Sequence, residues 1–453
     1  SASFLSPRDP SLHLYSSSFH RLYHLGFLSL SLHLRAMAEP EKFINMKGRR
    51  VERGKLSYTL ASDFLAHSSI STKLGYGDVP FHLGSGTYGY VLGFVSPGND
   101  EKGVAVKKFL NPFDHEKRAQ RCFRELQLLR CLRHENIVRW RFAYAAPVIT
   151  KRDPDPYAIY LVTDYAGAAL SELLKLENEK KPLFNLRSFK NMIAQLLRAL
   201  KYLSSANIVH RDIKPSNLGV TNAGKLTLLD FGLARAFEKG QELTSDSGTC
   251  VYRAIETIVV WDRNYDIPNR MTVYDDKADI WSIGTMLCEM ITGRVLFDAA
   301  PRPGHDYPFA IDIVRKAVDI CGPVPESVIS QIERTDVKEL LRKTNGIALA
   351  KAQDESRSPR LDFIQYFRDH GRKWLQREIG ANRVALEDFI NRTLAFDHND
   401  RMTVDEALCH PFLRSVRILN KEVIASDRLQ IQDEPNRTVE EWQERIWKFI
   451  HES

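Results

Sequence analysis

The stretch VHRDIKPSNLGV at residues 209–220 gathers an acid, a base and an amide in one short loop. Asp212 can orient an attacking hydroxyl and accept its proton. Lys214, two residues on, can neutralise charge on a transferring phosphate, and Asn217, five residues after the acid, can bind a metal ion. LLDFG follows at 228–232, with Asp230 as a second metal ligand and Phe231 as an apolar plug able to gate the site. Upstream, Leu83, Gly84, Ser85, Gly86, Thr87, Tyr88 and Gly89 make a G-x-G-x-x-G turn followed by Val91. Such glycines let a backbone approach phosphate oxygens closely. The pattern alone is weak, because glycine turns of this spacing are common. A helix after it would suggest a dinucleotide fold, but here a strand follows. Lys107, in VAVKK on the next strand, needs an anionic partner if buried, and Glu125 in RCFRELQLL can supply one. Taken singly, either residue is more often a solvated surface charge.

These groups need particular elements to hold them. FHLGSGTYGYVLGFV and GVAVKKF read as strand, turn, strand over 81–110. HEKRAQRCFRELQLLRCL has helical spacing, and NIVRWRFAY and YAIYLVTDY read as two more strands, joined through DPDPY at 153–157. After Gly167 helical patterns dominate, including 170–180, 186–205 and 278–292. The expected class is α+β, a small β-rich lobe followed by a larger α-helical one, without internal repeats.

Composition adds bounds. The chain has 453 residues, 43% hydrophobic and 27% charged, and a net charge of +7 spread over both signs, so nucleic acid is not the expected partner. Six cysteines at 122, 131, 250, 288, 321 and 409 form no C-x-x-C pair. A disulfide framework or zinc site is therefore not expected, and a reducing setting, cytoplasm and nucleus, fits. No apolar run approaches the roughly 20 residues of a membrane span. Residues 1–36 are rich in Ser, Leu and His, with a single acid, Asp9, and no methionine before Met37. A transit peptide, a signal segment and an upstream extension ahead of a start at Met37 all stay open; this segment is expected to be disordered.

Together VAVKK, FRELQLL, RHENIV, IYLVTDY, HRDIKPSNL, LLDFGLAR and ADIWSIGTMLCEMITGRVLF resemble the mitogen-activated protein kinases over residues 75–450. Thr163 and PSNLGV look most like the stress-activated branch. The resemblance implies a bilobal Ser/Thr protein kinase using ATP and Mg2+. Its kinase domain would span 75–413 with a hinge near 163–167, after an extension at 37–74 and before a tail at 414–453 that packs back on the kinase. Lys107 would bind the α- and β-phosphates and pair with Glu125. Asp212 would be the base, with Lys214 beside it, and Asn217 and Asp230 would hold magnesium. Asp164 and Ala166 would meet adenine through their backbone, next to Thr163, and Val91, Ala105 and Leu229 would sandwich it. Glu256 would pair with Arg401, and Asp279 would brace the catalytic loop. The implied partners are protein substrates, an upstream MAP kinase kinase and phosphatases, around a monomer.

The same resemblance lets LTSDSGTCVYRAIE, residues 243–256, be read by position. Thr249 would touch Asp212 and Lys214. Thr244 and Asp246 stand at the family's T-x-Y phosphorylation pair, so the threonine is present and the tyrosine is aspartate. Arg121, Arg124 and Arg211 match the arginines that grip the phosphothreonine. Arg253 matches one of the two receptors of the phosphotyrosine, and Cys250 replaces the other. One reading makes Thr244 the single switch and Asp246 a fixed partial substitute paired with Arg253. The other makes Asp246 a solvated loop residue.

Further departures are Val251 for tryptophan and Ile255 for proline, which put the family's preference for proline after the target residue in doubt. WDRNYDIPNRMTVYDDK is long for its position. RSVRILNKEV is basic and apolar where an acidic docking patch is usual, so a basic docking peptide would be repelled. Residues 336–380 match the family's helical insert only weakly. Gly219 stands where a larger apolar side chain is usual, which implies a looser pocket floor. An active kinase is the expected reading because the whole catalytic set is present. The rival is a pseudokinase that binds nucleotide or scaffolds without efficient transfer.

Overall fold

The computed structural model describes residues 50–53, 56–59, 81–86, 89–96, 99–147, 157–177, 182–236, 250–259, 276–299, 310–332, 335–356, 358–429, 431 and 437–452. The expectations for residues 1–36, for the turn residues Thr87 and Tyr88, for Thr244, Asp246 and Thr249, and for the long segment before Asp276 lie outside these.

After a short hairpin of β1 (Arg50–Arg53) and β2 (Leu56–Thr59), five antiparallel strands build the small lobe: β3 (Phe81–Gly86), β4 (Gly89–Ser96), β5 (Asn99–Phe109), β6 (Trp140–Pro147) and β7 (Tyr157–Asp164), in the order β3-β4-β5-β7-β6. Period-two alternation divides their side chains between two faces. Tyr90, Leu92, Phe94, Val104, Val106, Ala158, Tyr160 and Val162 form one apolar cluster. Phe109, Ile159 and Leu161 turn to the other face and join the main core. Lys107 is opposite Leu161 in the β5–β7 register, so this alternation also decides which way the lysine points.

On that face lies α1 (Glu116–Cys131), capped by His115, whose ring accepts the Lys117 N–H. Its buried stripe, Ala119, Cys122, Phe123, Leu126 and Leu129, follows helical spacing, and Glu125 is buried with it. The next segment differs from expectation at its start. NIV does not extend β6; Val138 N–H donates to Leu228 O at 3.0 Å and Leu228 N–H to Asn136 O at 2.8 Å. Its backbone bonds go to the large lobe instead, which pins the two lobes together behind the cleft.

In the large lobe, β8 (Ala168–Ala169) and α2 (Leu170–Leu176) lead to α3 (Leu186–Ser205). The loop that carries HRDIKPSN follows between β9 (Ile208–Val209) and β10 (Leu218–Val220), then β11 (Leu226–Leu228) and β12 (Arg235–Ala236). α4 (Ile255–Val259) precedes α5 (Lys277–Thr292), which is buried almost all round and ends at Gly293, whose φ of 74° suits a helix C-cap. Helices α6 (Ala310–Cys321), α7 (Glu326–Gln331), α8 (Thr335–Asp354), α9 (Phe363–His370), α10 (Gln376–Ala381), α11 (Arg383–Thr393) and α12 (Val404–Cys409) follow, and of these α9 and α11 pack on α5. Finally α13 (Val439–His451), opened by a Thr438/Glu441 capping box, packs on α1 and β6. Trp442 and Phe449 pack against Phe123 with ring centroids 5.5 and 5.7 Å away. Cys122, Cys131, Cys288, Cys321 and Cys409 are free thiols, and among the described residues no helix is long and apolar enough to cross a membrane.

Candidate active site

Three strands and one helix bring the lysine to its partners. Lys107 Nζ lies 2.7 and 2.8 Å from the two carboxylate oxygens of Glu125 and 3.4 Å from Asp230 Oδ1. Gly89, the third glycine of the turn, makes room for this lysine: a Cβ there would meet Lys107 Cε at 2.9 Å. Gly84, by contrast, faces open space. Burial alone would depress the Lys107 ammonium, but Asp230 and Glu125 outweigh it and hold it above its ordinary range. Burial raises Glu125 to about 7, with Lys107 pulling against that rise. Enclosure in the cleft works to raise Asp230, yet Lys107 and the Gly232 N–H bring it below the usual carboxylate range.

Asp230 and Arg211 both adopt left-handed backbone, φ 56° and 71°. Non-glycine residues there are uncommon and persist where their surroundings hold them. The holding groups are visible. Asp279, at the start of α5, accepts the backbone N–H of His210 and of Arg211 at 2.9 Å each. Burial pushes the Asp279 carboxyl up, opposed by His210 and these N–H bonds. The His210 ring accepts the Asp212 N–H through Nδ1 at 3.3 Å, and its Nε2 lies 3.0 Å from the Leu229 carbonyl. Phe231 meets the same ring edge-on, centroids 5.0 Å apart, and is fully buried. Sequence reasoning gave His210 no role, although it stands in the HRD string itself.

Two donors converge on one oxygen of the acid. Lys214 Nζ is 2.7 Å and Asn217 Nδ2 2.8 Å from Asp212 Oδ2, and the same amide also donates to the Asp212 carbonyl. Having spent its N–H groups, Asn217 has only its carbonyl oxygen left to offer a cation. Asp230 adds a half-exposed carboxylate. Oxygen donors of this kind suit a hard cation such as magnesium, held by one or two protein groups together with phosphate oxygens. Among the described residues no cluster of three His, Cys, Asp or Glu side chains could hold a metal without such help.

The residues expected around adenine are placed as follows. Val91 and Ala105 lie on β4 and β5, Val91 opposite Lys107 and Ala105 opposite Thr163 of β7. Leu83 is on β3, as is the backbone of Ser85 and Gly86. Leu229 is tied to the catalytic loop by its N–H, which donates to Asn217 O at 2.9 Å. Asp164 forms an ion pair with Arg141. The pocket floor is not loose at Gly219. A methyl there would lie 2.6 Å from the Ala166 carbonyl oxygen and 2.7 Å from its Cβ, so the hinge itself fills the space a side chain would take.

Of the arginines expected to receive phosphate, Arg124 is almost fully buried and donates to the Gly232 carbonyl at 3.1 Å, joining α1 to the Asp230 segment. Arg121 is also buried, and Arg253 is half-buried before α4. Glu256 meets Arg401 through two bonds of 2.6 and 3.1 Å. Arg401 also bonds the Ala395 and Lys277 carbonyls and stacks over Trp281.

This geometry agrees with comparison to known proteins. Residues 79–413 match the protein kinase domain family. Mitogen-activated protein kinase pmk-3 of Caenorhabditis elegans is 32% identical over 377 residues, covering 82% of this chain and 70% of that protein. Human mitogen-activated protein kinase 13 is 33% identical over 374 residues, 82% and 87% of the two chains. Mouse mitogen-activated protein kinase 12 is 31% identical over 368 residues, 81% and 86%. The chain is therefore a Ser/Thr protein kinase and belongs to the mitogen-activated protein kinase family, on its stress-activated branch.

Proposed function

We propose that this kinase transfers the γ-phosphoryl group of ATP, with Mg2+, to Ser or Thr of protein substrates, and that phosphorylation of Thr244 is its one regulated switch. The arrangement around Asp212 carries the catalytic part. Lys214 and Asn217 both hold Oδ2, which fixes the carboxylate and leaves Oδ1 to accept the proton of the incoming hydroxyl. Lys214 is then next to the transferring group as a positive charge. Lys107, aligned by Glu125, would meet the α- and β-phosphates, while the Asn217 carbonyl oxygen and the Asp230 carboxylate would hold the metal. Bound magnesium supplies neutralisation of charge on the β- and γ-phosphates. The protein's contribution is thus positioning and charge stabilisation.

For regulation, a phosphate on Thr244 would meet Arg121, Arg124 and Arg211, gaining about one to three charge-assisted hydrogen bonds. Because Arg124 already clasps Gly232, such a phosphate would brace the Asp230 segment as well as the loop. Asp246 opposite Arg253 would be a permanent, weaker substitute for the second phosphate. An upstream MAP kinase kinase would add the Thr244 phosphate and phosphatases remove it. We further propose a monomer acting in cytoplasm and nucleus, with the kinase domain beginning near residue 75 and a tail from 414.

Phosphoryl transfer to a generic basic protein substrate tests this reading in wild type, Thr244→Ala and Asp212→Asn, before and after treatment with an activating kinase. Activity that rises on treatment and vanishes in both variants supports it. ATP binding without Asp212-dependent transfer in any state would make the chain a pseudokinase, a reading that the altered Cys250, Val251 and Ile255 keep open.

A further inference from the structure

The stretch after α12 holds an unusual concentration of exposed apolar surface. Ile418, Leu419, Val423 and Ile424 are 40, 69, 47 and 64% exposed. They make up half of the large apolar side chains that stand exposed among the described residues, yet they lie within seven consecutive positions. Scattered exposed aliphatics are ordinary, whereas a concentration of them along one short stretch points to an interaction surface.

This stretch is also held rigid. Arg417 grips Glu422 through bonds of 2.7 and 3.1 Å. Lys201 of α3 reaches the same carboxylate at 3.4 Å and Asp405 at 2.7 Å. Lys421 bonds Glu135 at 3.0 Å. Backbone bonds from Ala425 to Ser205 Oγ (2.8 Å) and from Leu429 to Ala206 O (3.0 Å) fasten the far end to α3. A chain tied down at so many points could have turned its aliphatic side chains inward. It presents them to solvent on a preorganised frame, which lowers the entropy lost on binding.

Charge indicates what would cover them. The carboxylates of the frame, Glu135, Asp405 and Glu422, are each already in an ion pair. The cations outnumber them: Arg198, Lys201, Arg417 and Lys421 are in the network, and Arg414, exposed, makes no ion pair among the described residues. The surface is therefore apolar with a positive surplus.

We propose that the surface of Ile418, Leu419, Val423 and Ile424, bordered by Arg414 and Lys421, docks a protein segment in which acidic residues are interspersed with aliphatic ones. Its aliphatic residues cover the four exposed side chains, and its carboxylates meet Arg414 and the partly satisfied Lys421. Acidic partners are drawn in and basic ones repelled, which makes the surface selective for charge.

Two fluorescent peptides test this on the full chain: one combining Glu and Asp with Leu and Ile, the other its twin with Lys and Arg in place of the acids. Fluorescence anisotropy at low and high salt measures binding. The acidic peptide is expected to bind about tenfold or more tightly than its basic twin, and to weaken with salt. Leu419→Ser/Ile424→Ser should reduce that affinity about tenfold or more while transfer to a generic substrate is unchanged. Arg414→Glu should weaken the acidic peptide and leave the aliphatic surface intact. Equal or stronger binding of the basic peptide, or full binding by the Leu419→Ser/Ile424→Ser variant, overturns the proposal. So does a dimer, seen by sedimentation, that dissociates in that variant, or binding to anionic vesicles without binding to either peptide. Loss of transfer in wild type would strike the kinase reading alone, because peptide binding is measured separately.

Discussion

Lys107 Nζ stands between two carboxylates, 2.7 Å from Glu125 on the small-lobe helix and 3.4 Å from Asp230 at the head of the DFG segment. One ammonium thus ties the helix, the sheet and the proposed metal ligand together. Removing the Glu125 charge would leave Asp230 as its remaining carboxylate partner and draw it away from the phosphates. Glu125→Gln is expected to lower kcat/KM by about 10²–10³-fold, with the fold kept by circular dichroism. Near-normal turnover would show that the pair does not position the lysine.

The same carboxylate gives a pH dependence. Glu125 is raised to about 7, so the ion pair is lost as pH falls through that value, and activity should fall with it. Glu125→Gln should be low and flat over the same range. Stability runs the other way. The folded pKa lies above the unfolded one, so the folded state takes up the proton first, and this group favours folding increasingly as pH falls from about 7 to about 4.5. A wild-type activity profile without a limb near 7 would contradict this assignment.

Gly219 should matter for nucleotide binding although it offers no side chain. Its missing Cβ is what lets Ala166 sit down on β10. Gly219→Ala should push the hinge outward and raise KM for ATP by about five- to tenfold with kcat nearly unchanged, the pattern of lost uniform binding. An unchanged KM would mean that the hinge shifts without consequence for adenine.

Arg401 is fully buried and bonded to Glu256 and to two carbonyls. Glu256→Leu would strand a buried cation, and unfolding should be easier by about 3–5 kcal/mol. Glu256→Leu combined with Arg401→Met should recover much of that loss, measured by denaturant melts of the single and double variants.

Asp246→Asn tests the substitute-phosphate idea. If the carboxylate pairs with Arg253, activity of the Thr244-phosphorylated enzyme should drop severalfold and loop amides should exchange faster. No change in either assigns Asp246 to solvent.

Much of this site was legible because short strings encode it. HRDIKPSN and LLDFG fix identity and spacing within single loops, so Asp212, Lys214, Asn217 and Asp230 could be named from their order alone. Lys107 and Glu125 could be named because a strand and then a helix follow the glycine turn, and each carries the charge that the other needs. What stayed hidden depends on packing between distant segments. No local pattern says that Arg124 would turn to the Gly232 carbonyl or that Ala166 would fill the space over Gly219. The NIV segment reads as strand by its residues, yet its hydrogen bonds go to Leu228, a partner that only the tertiary fold supplies.

The clasp of α13 on α1 has a consequence for how the enzyme comes into being. Phe123, on the helix that carries Glu125, is covered by Trp442 and Phe449, which follow it in the chain by about three hundred residues. During synthesis the Phe123 face of α1 therefore stays uncovered until α13 has left the ribosome. Contacts this remote in sequence form late and slowly. A chain cut before α13 would carry this apolar face exposed, a surface of the kind that chaperones hold.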